Sequence, residues 1–362
     1  MRSAAGPLVV GGARAAYPLR TMTRTARRRF AREMDSIVDG IAIGASGPVF
    51  LHCYDQPAGG KWVDDVIPGK LVALDRASGE QLWVSPCEVG YGRGFGAGFG
   101  PEQDIVVLGP SAHGHRIVRM RLADGELIGV GKIDLFDSAV VAGDLCVTTT
   151  PRAVVAIATG AMEEAWQYRR PGERYHDLAR HKNSIFVVYT NANTSRQGVL
   201  RLDAQTGDFL EEVVSARLPA IHSICAWQGG VSLLVRDLAQ VLPRDAMPRF
   251  MTDLATHKDG GSVDTLTLCS FAADGASGEG PRWWRILSTR RGEGTPDIAM
   301  KCDDGKLYLV HEALIDIRDA VTGRALGEWT VPGLDESVAW DVCQGAALVA
   351  EEERASLYEL PA

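Results

Sequence analysis

Short runs with apolar side chains at every second position, each closed by a tight turn, make up most of this chain. In GKLVALDRASGEQLW (69–83), Leu71, Ala73 and Asp75 alternate with Val72 and Leu74. That two-residue period suits a strand, whose neighbouring side chains face opposite sides. Asp75 can accept hydrogen bonds from the backbone just ahead of it, and Gly79 supplies a positive φ without a Cβ penalty. The stretch is therefore expected to form a hairpin whose second strand carries Trp83.

The unit recurs with decay. GVLRLDAQTGDFLEE (198–212) and LIDIRDAVTGRALGEW (314–329) repeat it closely, while RIVRMRLADGELIGV (116–130) and AVVAIATGAMEEAW (153–166) are looser relatives. A longer version, TLCSFAADGASGEGPRWWRIL (267–287), reaches Trp283 and Trp284. The turn glycines Gly79, Gly125, Gly160, Gly207, Gly278 and Gly323 stand 46, 35, 47, 71 and 45 residues apart. A period of about 40–50 residues means one four-stranded sheet per repeat, the blade of a β-propeller. The wide fourth interval points to an insertion, placed at 237–262 in the fifth blade, where Pro243 and Pro248 interrupt a helix-like spacing. It is expected to rise above the ring.

LVALDRASGEQLW resembles the repeat of the pyrroloquinoline-quinone-type propellers, apolar-x-Ala-Leu-Asp-x-x-Thr/Ser-Gly-Glu-x-x-Trp. HSICAW (222–227) and ESVAWDV (336–342) also resemble inner strands of the neighbouring WD40 type. The resemblance covers most of residues 35–362 as architecture and implies an all-β fold. It does not imply a function, because one blade design serves dehydrogenases, assembly lipoproteins and interaction scaffolds.

Partitioning the chain gives blades at 36–86, 87–134, 135–170, 171–215, 216–289 and 290–331, then a last one that begins near 336 and runs out after three strands. An open edge is costly in a closed ring. The basic N-terminal arm, residues 1–35, is therefore expected to supply the missing outer strand, with LRTMTRT (19–25) as the candidate segment. Residues 36–362 form the propeller proper. The result is a seven-bladed ring held shut by both termini; eight blades, with 7–34 as a poor extra one, is the alternative.

Residues 1–32 contain eight arginines and no acid, although the whole chain carries a net charge of −8. Basic side chains commonly guard edge strands, and the acidic remainder, with few interleaved aromatics, argues against a nucleic-acid partner. The consecutive arginines in TARRRFAREMDSIVDG invite a twin-arginine export reading, but Glu33, Asp35 and Asp39 break the apolar stretch that should follow. No run approaches the ~20 apolar residues of a membrane span. Seven cysteines stand singly, without a CxxC pair, so a reduced, cytoplasmic setting is expected.

Candidate chemistry gathers where the inner strands begin, at the mouth of the central channel. Asp35, Asp137, His176, Asp177, His222 and Glu336 open similar polar-polar-apolar patterns, Asp297 fits the second column, and Arg93 in GYGRGFGAG approaches the same place. Two readings follow. His176 and His222 with nearby carboxylates could hold a divalent metal, as a metal- or ligand-dependent lyase or hydrolase would need. Alternatively, carboxylates and hydroxyls before each inner strand satisfy backbone amides. The repetition of the pattern favours the second. His113-Gly114-His115 reads as a solvated turn, and Trp83, Trp166, Trp284 and Trp329 read as inter-blade packing. Pyrroloquinoline quinone is not expected, since the vicinal cysteine pair that the resemblance associates with it is missing. No GxSxG, Walker or HExxH motif occurs. The expected role is non-catalytic: an interaction scaffold for another protein or a subunit of a larger complex.

Overall fold

The computed structural model describes residues 23–55, 67–91, 95–100, 102–217, 220–236, 238–240, 242–256, 266–273, 280–288, 298–311, 313–334 and 338–360. Two short strands come first, β1 (Arg24–Thr25) and β2 (Arg27–Glu33). Blade one follows with β3 (Ile37–Ile43), β4 (Val49–Tyr54), β5 (Gly69–Leu74) and β6 (Gln81–Cys87). Blade two has β7 (Gly96–Phe99), β8 (Asp104–Ser111), β9 (Gly114–Arg121) and β10 (Leu127–Ile133). Blade three has β11 (Ser138–Ala142), β12 (Leu145–Thr149), β13 (Val154–Ala158) and β14 (Glu163–Tyr168). Blade four has β15 (Glu173–His181), β16 (Ser184–Asn191), β17 (Arg196–Asp203) and β18 (Phe209–Arg217). Blade five has β19 (Ala220–Trp227), β20 (Gly230–Arg236), β21 (Leu266–Ala272) and β22 (Trp283–Ser288), with helix α1 (Met247–Thr256) inserted before its third strand. Blade six has β23 (Ala299–Asp303), β24 (Lys306–His311), β25 (Leu314–Asp319) and β26 (Ala325–Thr330). Blade seven has β27 (Ala339–Cys343), β28 (Ala346–Glu351) and β29 (Arg354–Glu359).

Each blade is an antiparallel meander, and the seven sheets form a β-propeller. The fourth strand of the last sheet is β2, antiparallel to β29. The arm thus closes the ring, but through RRRFARE rather than LRTMTRT. Of the latter, among the described residues, Arg24 and Thr25 pair parallel to β26 on the outside of blade six. The reason is visible in the side chains. An outer strand has one face to bury, and Phe30 is the buried apolar residue of β2, while its arginines remain largely exposed.

Buried apolar residues fall into seven clusters, each between two consecutive blades. The period of two does this. Along β8, Ile105 and Val107 pack toward blade one, whereas Val106 and Leu108 pack toward blade three. A second strand apolar at every position is therefore what a sheet covered on both faces requires.

At the rim, a recurring contact locks blade to blade. Trp83 lies on the turn at Gly125 of the next blade and donates its indole N–H to the Leu122 carbonyl at 3.0 Å. Trp166 does the same at Gly207 and the Ala204 carbonyl (3.2 Å), and Trp283 at Gly323 and the Ala320 carbonyl (3.2 Å). Phe30 takes the role against Gly79, joining blade seven to blade one. Between blades two and three the sizes are exchanged. Gly129 occupies the tryptophan position, and the Met162 side chain fills the gap from the turn.

Three expectations are corrected here. In blade three the residue with positive φ is Met162 (58°), whose N–H bonds to the Ala158 carbonyl, and not Gly160. Trp283, not Trp284, is the turn-docked residue; Trp284 instead donates to Asp253 of α1 at 3.0 Å and lies under the Arg249 guanidinium. Trp329 sits two residues past the repeat position, which Gly327 holds, and packs between blades six and seven. Gly278 lies outside the described residues.

The insertion does not stand clear of the ring. Leu238, Leu242, Phe250 and Leu254 join the cluster between blades four and five. Glu211, paired with Arg201, occupies the tryptophan position of blade four, so the helix covers a joint that lacks the usual aromatic.

Replacing Gly207 by Ala should destabilise the protein by about 1–3 kcal/mol, since the residue has φ near 73° and a Cβ would sit 2.5 Å from the Trp166 ring. In the double variant Gly207→Ala, Trp166→Leu the two losses should be less than additive, as measured by chemical denaturation.

Candidate functional site

The inner strands of blades one, four and five each carry a β-bulge near the channel mouth, at Asp39, at His176-Asp177 and at His222. A bulge turns one extra side chain out of the ladder, which is how these polar residues leave an otherwise apolar strand. His176 is exposed, with Nε2 3.0 Å from the Thr190 hydroxyl. His222 is exposed on the neighbouring blade. Asp35 and Asp137 are exposed in the segments leading into β3 and β11, the latter giving its N–H to the Thr149 carbonyl at 2.9 Å. Arg93, Asp297 and Glu336 lie outside the described residues.

Asp177 behaves differently from its neighbours. Its carboxylate accepts the Ser138 hydroxyl of blade three at 2.9 Å and its own blade's Leu178 N–H at 2.8 Å. It also accepts the Ile224 N–H of blade five. Three consecutive inner strands thus meet on one side chain. Burial pushes the Asp177 carboxyl above the ordinary carboxylate range, against the pull of those three donors. Thr149 adds a second tie between blades three and four by donating to the His176 carbonyl at 2.7 Å.

The sequence gives no sign that Asp341 mirrors this arrangement across the ring. One oxygen accepts the Ile43 N–H of blade one at 3.0 Å. The other takes Lys301 Nζ of blade six at 2.8 Å and the Val342 N–H at 2.9 Å. Lys301 also donates to the Trp340 carbonyl at 3.0 Å and stands over that indole ring. Asp39 has a related task. It lies 2.5 Å from Nδ1 of His52, a wholly buried residue whose Nε2 faces the Val89 carbonyl at 3.0 Å. Phe95 stacks on the imidazole at 4.8 Å. A lone histidine within VFLHCY and an acid within AWDVC were the available signals, and both need a distant partner to be interpreted.

Two concavities flank these groups. A cleft of about 570 Å³ opens over the joint of blades seven and one, with Asp39, Glu351 and Glu352 as its charged lining. A groove of about 920 Å³ lies on the opposite face, across blades four to six.

The chemical capacity of the described residues follows. Among them, no three His, Cys, Asp or Glu side chains gather as a metal cage. All seven cysteines are free, and burial pushes the thiols of Cys53, Cys146 and Cys302 up to about 12. These three remain thiols at neutral pH, a poor state for nucleophilic attack. Gly96 and Gly98 serve close packing: a Cβ there would meet Ala139 at 3.1 Å and Val141 at 2.6 Å, both on the next inner strand.

No family model matches the sequence, and no curated protein matches it. Among solved structures, BamB from Moraxella catarrhalis is similar at 12% identity and a TM-score of 0.48, over 92% of this chain and 100% of that one. The computationally designed Ika8 protein is similar at 10% identity and a TM-score of 0.51, over 92% of this chain and 99% of that one. Such identities speak for fold alone, and the BamB score supports no further inference. Blade count and ring closure together are those of a seven-bladed β-propeller.

Proposed function

We propose that this propeller is non-catalytic and acts as a protein–protein interaction scaffold, or as a subunit of a larger complex, in the reducing cytoplasm and without a cofactor. The observation that carries the reading is the use made of Asp177. Its lone pairs are committed to backbone and hydroxyl donors from three blades, so it serves the ring rather than a substrate. Asp341 is engaged in the same manner. Seven unpaired cysteines support the reducing compartment.

The competing reading, a metal- or ligand-dependent lyase or hydrolase, rests on His176 and His222 at bulges of adjacent inner strands. Elemental analysis of the purified protein is expected to find no stoichiometric divalent metal, and His176→Ala to recover the same partners as wild type in a pull-down. One tightly held ion per chain, lost in that variant, would reverse the assignment.

The structural role of Asp177 has its own consequence. Asp177→Ala leaves donors from three inner strands without their acceptor and should destabilise the protein by about 2–4 kcal/mol. A carboxyl whose folded pKa is raised favours the fold most while protonated, at pH below its unfolded value of 3.8, and that contribution is lost as pH climbs through the folded value. The stability difference between wild type and Asp177→Asn should accordingly move toward the asparagine variant as pH rises from about 4, as read by denaturant titration at each pH.

A further inference from the structure

The groove on the face opposite the channel mouth is built from the inner hairpins of blades four and five and the outer turns of blades five and six. Its floor is apolar and aromatic, with Phe186 and Trp227 each 2% exposed, and Val321, 45% exposed, at one lip. Its rim is cationic, from Lys182, Arg201 and Arg282. Arg201 is partly engaged, donating to Ser184 at 3.0 Å and pairing with Glu211 at 2.9 Å. Lys182 and Arg282 are exposed, and among the described residues neither has a carboxylate partner. The Arg282 guanidinium lies 5.5 Å from the Trp227 ring centre.

This sign runs against that of the chain, whose net charge is −8. The same local field is felt by His181, which burial and then the cations Lys182 and Arg180 hold below the usual imidazole range. Two groove-lining rings also retain unused hydrogen-bonding capacity. Nε2 of His181 and Nε1 of Trp227 are buried without a partner. Leaving such a group buried and unsatisfied is costly, and each one calls for a partner.

We propose that this groove binds an acidic peptide segment of a partner protein, with carboxylates on Lys182 and Arg282 and an apolar side chain against Phe186, Trp227 and Val321. The proposal rests on the scaffold reading and names the chemistry of the partner. A peptide fits better than a nucleic acid. Single-stranded nucleic acid needs a continuous basic track beside its stacking platforms, and here two cations without a carboxylate partner among the described residues stand on an acidic protein. The volume of about 920 Å³ and the span of three blades suit an extended segment rather than a single small anion.

The test uses the whole chain and a short fluorescein-labelled peptide of glutamates interspersed with leucine and phenylalanine, followed by anisotropy. Controls are the same peptide with lysine for glutamate, and a labelled single-stranded oligonucleotide. Saturable binding of the acidic peptide alone is expected, weakened by salt. The affinity should fall roughly tenfold or more in the double variant Lys182→Glu, Arg282→Glu, and remain unchanged in Lys132→Glu on the outer strand of blade two. Both rim residues are exposed, so the thermal melt of the double variant should match wild type. No saturable binding of the acidic peptide, equal binding of the lysine peptide, preference for the oligonucleotide, or an unaffected double variant would each overturn the proposal. A pull-down separates this from the scaffold reading: partners recovered equally by wild type and the double variant retire the groove and keep the scaffold, whereas no specific partner in either retires both.

Discussion

A ring of sheets depends on its joints. Each blade here is too thin to hide its own apolar faces, and only a neighbour on either side removes them from water. Every joint must therefore be filled, and the chain fills them by different means. Three use a tryptophan seated on a turn glycine, one exchanges large for small at Gly129 and Met162, and one uses Phe30 on Gly79. Between blades four and five the insertion contributes Phe250 and Leu254. Between six and seven, where blade seven has no third-to-fourth turn because its fourth strand is β2, Trp329 packs among the apolar residues and Arg24 covers its ring at 5.5 Å. The constraint is one of volume and cover, and the sequence is free to vary in how it is met.

The same demand reaches the channel. Inner strands from neighbouring blades approach each other without forming ladder hydrogen bonds, so backbone donors that face the channel need acceptors. Asp177 and Asp341 meet that need across three blades apiece, on different parts of the ring. His52 and Asp39 do a comparable task within blade one. Asp39, Asp177 and Asp341 are thus explained by the joints before any ligand is invoked.

What the sequence disclosed follows from the range of each interaction. The Asp-x-x-Ser/Thr-Gly turn is local: Asp75 accepts from the Ala77 and Ser78 amides, and Asp203 and Asp319 repeat the geometry, so blade number and order were legible. Met162 escaped because a non-glycine residue holds the left-handed position there, and the nearby Gly160 offered a misleading match. The closing strand was placed several residues too early because an outer strand buries one face, and a single Phe30 among arginines leaves almost no periodic signal. Asp341 was invisible for a different reason. Its partners Ile43 and Lys301 are far away in sequence, and only closure of the ring brings them together.

The two faces of the toroid therefore differ in kind. At the mouth, the half-buried Asp39 and Asp177 and the buried His52 are matched by donors and acceptors of the protein itself, so a ligand binding to them would have to break bonds that hold the blades in register. On the opposite face, Lys182 and Arg282 have no carboxylate partner among the described residues and stand beside two rings with unmet hydrogen-bonding capacity. A group already satisfied gains little from a visitor, whereas an unsatisfied one gains the whole interaction. Recognition on this fold is for that reason expected where the joints have left something over, on the side of the outer turns, and the channel mouth that draws the eye in the sequence is mainly the seam of the ring.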